Sequence, residues 1–164
     1  MLKYISCSLL LGAVFAVPST SFAAGDVKVA RPVSPVASAR CHVATKAEVA
    51  GLFDRWNKSL RTGNPKKVAA NYASDAVLLP TLSKQVRYTQ KQREDYFQGF
   101  LKKKPVGHID SRTVRIGCNV AMDTGTYTFA YGDGSKANAR YTFTYAWNGK
   151  DWLISSHHSS AMPR

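Results

Sequence analysis

Apolar residues recur along this chain first at helical and then at strand spacing. Val49, Leu52, Phe53, Trp56 and Leu60 fall on one stripe, with Asp54, Arg55, Lys58 and Arg61 on the other faces, which predicts an amphipathic helix. Thr45 and Glu48 have capping-box spacing at its start, and Gly63 ends it. Asn64-Pro65 opens a short second helix running to about Tyr72, with Val68, Ala69 and Tyr72 inward. Ala76 to Leu79 reads as a short buried strand stopped by Pro80. Thr89 and Gln92 form a second capping box, opening a helix with Tyr96, Phe97, Phe100 and Leu101 on one face and Lys102–Lys104 at its C-terminal end. Beyond Pro105 and Gly107 the period changes to two. Four strand-like runs follow, about 106–116, 119–131, 135–147 and 151–160, separated by Gly117-Cys118-Asn119, Gly132-Asp133-Gly134 and Asn148-Gly149. Such short separators force antiparallel hairpins. The expected fold is α+β, with the long helix burying its stripe on a four-stranded meander.

Composition narrows the class. With 45% hydrophobic residues and three cysteines in 164 residues, the chain is neither disordered nor a disulfide-dense miniprotein. The formal net charge of +13 would make nucleic acid the first partner of a cytoplasmic protein. The N-terminus argues against that setting. Lys3 precedes an apolar run from Ile5 to Val17 that is too short to span a bilayer, and Ser21 and Ala23 satisfy the small-residue rule for cleavage. Residues 1–23 are therefore expected to be a signal peptide, 24–40 a flexible leader and 41–164 the folded domain, exported to a periplasm or secreted, with no transmembrane anchor after cleavage. The folded part then carries 19 basic against 9 acidic residues, a surface charge on a domain that meets no chromosomal DNA. Cys7 leaves with the peptide. The remaining pair, Cys41 and Cys118, is expected to form a disulfide in an oxidising compartment.

Recognisable catalytic motifs are missing. The sequence has no Gly-rich phosphate loop, no Gly-x-Ser-x-Gly elbow, no His-Glu-x-x-His helix and no metal-ligand spacing, and nothing in it resembles a nicotinamide or flavin site, so neither cofactor nor metal is expected. Asp110 and Asp123 are the acids on strands, each expected to be solvated or near a turn. A sheet curved over a long helix encloses a cone whose mouth suits a small molecule. Tyr127, Arg140 and the pair His157 and His158 are the polar strand residues that would line it. Strand alternation turns the two histidines to opposite faces, so at most one of them is expected to line a cavity.

Leu52-Phe53-Asp54-Arg55-Trp56-Asn57, Thr62-Gly63-Asn64-Pro65 and Tyr72-Ala73-Ser74-Asp75-Ala76-Val77-Leu78-Leu79-Pro80 resemble the start of a nuclear-transport-factor-2-like domain. Tyr96-Phe97, Lys104-Pro105 and Trp152-Leu153-Ile154 running into His157-His158-Ser159-Ser160 are similar to the association (hub) domain of calcium/calmodulin-dependent protein kinase II, in its exported bacterial relatives. The resemblance implies a nuclear-transport-factor-2-like cone, a strongly bent sheet through which subunits associate, and a deep pocket for a small anion. It covers about residues 42–163 and includes no kinase domain. Carried over by position, Arg140 lies on the strand of a pocket arginine and on the same face, whereas Tyr127 and Ser159 stand where the hub has arginines. The implied lining is Tyr72, Arg93, Tyr96, Tyr127, Arg140 and His157 or His158.

The preferred reading is an exported homo-oligomer, joined through its sheet, whose pocket binds a small polar or anionic ligand with weak catalysis or none. Aromatic residues along 119–131 and 135–147 are expected on both sheet faces, each needing cover. The alternative is a ketosteroid-isomerase or polyketide-cyclase type of enzyme, in which a pocket His, Tyr or Asp transfers protons.

Overall fold

The computed structural model describes residues 41–81 and 83–163; the expected signal peptide and leader lie outside the described residues. Three helices precede most of the sheet: α1 (Lys46–Leu60), α2 (Pro65–Ala69) and α3 (Gln90–Phe100), the last continued by a 3₁₀ turn, Leu101–Lys103. The strands are β1 (Tyr72–Leu79), β2 (Val106–Gly117), β3 (Val120–Ala130), β4 (Lys136–Trp147) and β5 (Trp152–Ala161). Their spatial order is β1-β5-β4-β3-β2, in one curved, open sheet. β2 to β5 form the expected antiparallel meander, and β1 closes the row by pairing parallel with β5.

Local chemistry starts the helices where the sequence places them. Thr45 and Glu48, then Thr89 and Gln92, complete reciprocal capping boxes that satisfy the free N–H groups of α1 and α3. Asn64 accepts from the amides of Lys66 and Lys67 with Pro65 in the first turn of α2. The second helix is shorter than expected, and β1 begins at Tyr72 rather than Ala76. Asn71 explains the early stop. Its side-chain amide donates to the carbonyls of Lys67 and Val68 at the helix end, and its own carbonyl accepts from Ile154 of β5.

The α1 stripe lies on the concave face of the sheet. Phe53 and Trp56 pack on Tyr127, Phe129, Tyr141 and Phe143, with ring centroids 5.4 to 6.5 Å apart. Each such side chain contributes about 1.5–3 kcal/mol on leaving water. The strand aromatics are not shared between faces as expected. Tyr127, Phe129, Tyr141, Phe143 and Tyr145 are all buried on the concave side, while Thr124, Thr126, Thr142 and Thr144 alternate with them. One face therefore carries the core and the other is polar.

Two irregularities bend the sheet. Asp110 is an extra residue on β2, between the pairs Ile109–Tyr127 and Ser111–Thr126. Gly125 follows opposite Arg112, and a Cβ at Gly125 would lie 2.0 Å from the Ser111 carbonyl oxygen, so only glycine fits. On β5, Ser155 is the extra residue between Tyr145–Ile154 and Thr144–Ser156. A strap completes the fold. Cys41 and Cys118 are disulfide-bonded with their Cα atoms 5.0 Å apart, the His42 amide donates to Asn119 Oδ1 (2.8 Å), and the His42 ring stacks on Trp147 at 3.9 Å. Among the described residues no helix is long and apolar enough to cross a membrane.

Candidate functional site

The bulge at Ser155 decides which histidine enters the cone. Trp152 and Ile154 point inward from β5; the extra residue then shifts the alternation, so that His157 and Ser159 point inward and His158 outward. His157 is 4% exposed. Its ring stacks on Phe143 (3.9 Å) and meets the edge of Trp56 (5.4 Å). Its Nδ1 lies 2.9 Å from Tyr72 Oη, which accepts a hydrogen bond from Trp56 Nε1 (3.1 Å). Burial among these rings pushes the imidazole down to about 3, with the neighbouring His158 adding to the effect, so the ring is neutral at physiological pH. Nε2 is buried without a partner.

In front of His157 lies a chamber of about 100 Å³. Trp56, Leu78, Phe97, Phe100 and Phe129 supply most of its wall, with Tyr96, Tyr131 and Asn138 towards the mouth. A hydroxyl chain crosses one side. Tyr127 Oη donates to Ser159 Oγ (2.5 Å), which shares a 2.5 Å hydrogen bond with Thr81 Oγ1 at the partly exposed start of the β1–α3 loop. Burial raises the Tyr127 phenol well above its ordinary range and pushes that of Tyr96 up to about 12, so both stay protonated. Among the described residues no carboxylate or cationic side chain lines the chamber. Just outside, Arg87 lies over the Tyr96 ring (5.9 Å) and Lys103 over the Tyr131 ring (5.4 Å), placing two cations behind wall tyrosines.

Of the residues proposed from sequence, the structure brings Tyr96, Tyr127 and His157 to this chamber and sets Tyr72 directly behind His157. The other three are elsewhere. Arg140 does not share the pocket face: Ala139 and Tyr141 on either side point inward, so Arg140 is exposed on the convex face with His158 and Ser160. Arg93 is wholly buried, but as a clamp. Its guanidinium donates to the carbonyls of Ala73, Ser74, Ala76 and Tyr88, holding the stretch of β1 where its pairing with β5 is interrupted. Asp123 is not solvated either. It is fully buried, accepting from Tyr141 Oη (2.8 Å) with Arg112 Nε at 3.0 Å, and burial raises its carboxyl against the pull of both partners. Trp56, Phe100, Thr81 and Ser159 are among the chamber residues that the sequence did not place there. Ser159 carried a usable signal, since a residue two positions from an inward histidine on a strand shares its face. Among the described residues no three His, Cys, Asp or Glu side chains converge as a metal site would require.

A long helix cradled by a bent, open sheet, with a chamber at one end of the cone, defines the nuclear-transport-factor-2-like class. A protein of that class from Pseudomonas putida is 20% identical, covers 72% of this chain and 87% of its own, and superposes with a TM-score of 0.64. Within the class, the chain belongs to the calcium/calmodulin-dependent protein kinase II association-domain family, whose pattern matches residues 45–163. It is 54% identical to an association-domain protein from Xanthomonas campestris of solved structure, over 74% of this chain and 90% of that one, with a TM-score of 0.69. An iota-carbonic anhydrase from a cyanobacterium, solved with bicarbonate, shares the fold at 17% identity, covering 74% of this chain and 94% of its own, with a TM-score of 0.67. Among curated proteins no match was found.

Proposed function

We propose that residues 41–164 form an exported, self-associating domain whose chamber binds a small, planar, oxygen-bearing molecule of the carbon dioxide and bicarbonate class. The observation that carries this is the buried, unpartnered Nε2 of His157, a residue that with Ser159 lines an apolar space of about 100 Å³. A buried, unpaired ring nitrogen costs about 1–3 kcal/mol, which a ligand oxygen or nitrogen hydrogen-bonded to it recovers. The volume suits a few heavy atoms. It is well below the roughly 300–1,000 Å³ of ordinary ligand pockets, which disfavours the steroid- and polyketide-sized substrates of the isomerase and cyclase reading. Bicarbonate is the ligand named for the cyanobacterial structure; at 17% identity that likeness concerns the fold, and the ligand class rests on the chamber.

Titration with ¹³C-bicarbonate, followed by carbon line width, tests the reading. Saturable broadening is expected, and it should vanish in Ala139→Leu, whose larger side chain fills the chamber from β4. Broadening that persists in the filled variant, or none in the wild type at tens of millimolar, refutes it.

The hydroxyl chain favours a second reading, in which the domain hydrates carbon dioxide. A water oxygen bonds to the carbon, one C=O π pair moves onto oxygen, and the proton released by the water passes along Ser159 and Thr81 towards solvent. The product is bicarbonate. Loss of ¹⁸O from labelled carbon dioxide measures this directly. Exchange above the buffer rate that falls in Thr81→Val supports turnover; exchange at the buffer rate leaves a binding domain alone.

Self-association draws its support from the association-domain family, because the aromatic residues that would have argued for a sticky convex face point inward. Light scattering that returns only a monomer at micromolar concentration refutes it.

A further inference from the structure

Three side chains behind the chamber form a hydrogen-bond chain with a fixed direction. An indole N–H only donates, so Trp56 Nε1 gives its proton to Tyr72 Oη. That oxygen has one hydrogen of its own. Tyr72 is 4% exposed, and the acceptor within reach of its hydroxyl is His157 Nδ1, 2.9 Å away. Donation by Tyr72 to a bare Nδ1 gives each of these protons an acceptor, whereas donation by Nδ1 to Tyr72 would leave the phenol's own hydrogen buried without one. Burial keeps the phenol far from ionising and the imidazole neutral, so the single ring proton resides on the other nitrogen. That nitrogen is Nε2, buried without a partner on a residue that lines the chamber and on the side of the ring away from Nδ1 and Tyr72.

We propose that Trp56 and Tyr72 are positioning residues that fix His157 as a hydrogen-bond donor to the chamber, so that the site selects small molecules presenting an unprotonated oxygen and rejects those offering only N–H or O–H donors. This rests on the ligand-binding reading above and adds the polarity of the ligand. The opposite tautomer would leave the Tyr72 proton buried without an acceptor and present a bare nitrogen to the chamber, favouring donors instead. The Trp56–Tyr72 pair thus discriminates by orienting one proton. The Ser159 oxygen accepts from Tyr127 and shares a second hydrogen bond with Thr81, whereas His157 Nε2 is buried without a partner.

Histidine-labelled ¹⁵N protein allows the ring protons to be located by long-range ¹H–¹⁵N correlation, with His157→Gln assigning the signals among the four histidines. The expected result is a protonated Nε2 and an unprotonated Nδ1 at neutral pH, with the Nε2 proton moving saturably on addition of formate, a planar probe with two acceptor oxygens. In Tyr72→Phe the expected result is a mixture of tautomers and formate binding weakened by the inverse of the fraction still protonated on Nε2, about twofold for an equal mixture. A wild-type ring protonated on Nδ1 overturns the proposal, as does a Tyr72→Phe ring that keeps the wild-type tautomer. If the wild-type ring has the expected tautomer but ignores formate, the ligand-binding reading fails and takes the selectivity with it, while the proton assignment stands.

Discussion

Acid should unfold this domain through a single histidine. His157 ordinarily titrates near 6.5, but in the folded protein its burial among Trp56, Tyr72 and Phe143 holds it down to about 3. Between those values the unfolded chain binds the proton and the folded one does not, so unfolding takes up a proton and stability falls as pH drops. The contribution is fully present above about 6.5 and is lost progressively towards 3. Applying the linkage relation to this pair of values, the loss of stability between about pH 7.5 and 4.5 amounts to about 2–3 kcal/mol from this ring alone. Urea unfolding of wild type, His157→Gln and His158→Gln at both pH values isolates it. All other titrating groups are common to the three proteins, so the difference in pH dependence reports the substituted ring. His157→Gln should lose about 2–3 kcal/mol of the acid sensitivity even if its stability at neutral pH is lower, and His158→Gln should keep it. Equal acid sensitivity in wild type and His157→Gln would refute the buried, neutral imidazole on which the site is built.

The strap, the clamp and the bend each give a further expected outcome. Replacing Cys41 and Cys118 by serine opens a loop with a sequence separation of 77 and should cost up to about 4.5 kcal/mol by chain entropy, read as a lower urea midpoint that reductant no longer changes. Arg93→Met strands three β1 carbonyls and should lower stability by about 3 kcal/mol, with a melting temperature some 10 °C lower by calorimetry. Gly125→Ala forces its methyl against the Ser111 carbonyl and should destabilise by more than about 2 kcal/mol, whereas the same substitution at Gly51, where nothing lies within 4 Å, should stabilise α1 by about 0.5–1 kcal/mol.

Helix starts and strand pairing were legible because they depend on near neighbours. Thr45 with Glu48 and Thr89 with Gln92 are local devices, and the short separators between β2 and β5 leave the chain little choice of partner. The site was harder because it depends on parity. Counting inward positions along β5 from Trp152 and Ile154 selects His158; the unpaired Ser155 reverses the count and selects His157. Arg140 was misplaced for a related reason, since a position two residues away preserves a face only relative to the strand it is aligned on, and here Ala139 and Tyr141 hold the concave side. Arg93 shows a different limit. Nothing in the local sequence marks a guanidinium that will be buried against carbonyls 17 to 20 positions earlier on another strand. Asp123 hid in the same way, its partners lying 11 and 18 positions distant.

The bulge at Ser155 also bears on how this strand tolerates length change. The residues that follow it come in doublets, His157-His158 and Ser159-Ser160, so a histidine two places before a serine occurs in both frames of the strand. Deleting Ser155 alone removes the bulge and leaves His157 and Ser159 inward, because alternation from Ile154 then runs outward at Ser156 and inward at His157; losing Ser156 as well brings His158 and Ser160 inward, presenting the same pair of side chains to the cone. The first lost residue is absorbed by the bulge and the second by the repetition, so deletions that elsewhere would exchange a site for surface become, at this point of the strand, steps a lineage can take while retaining its chamber.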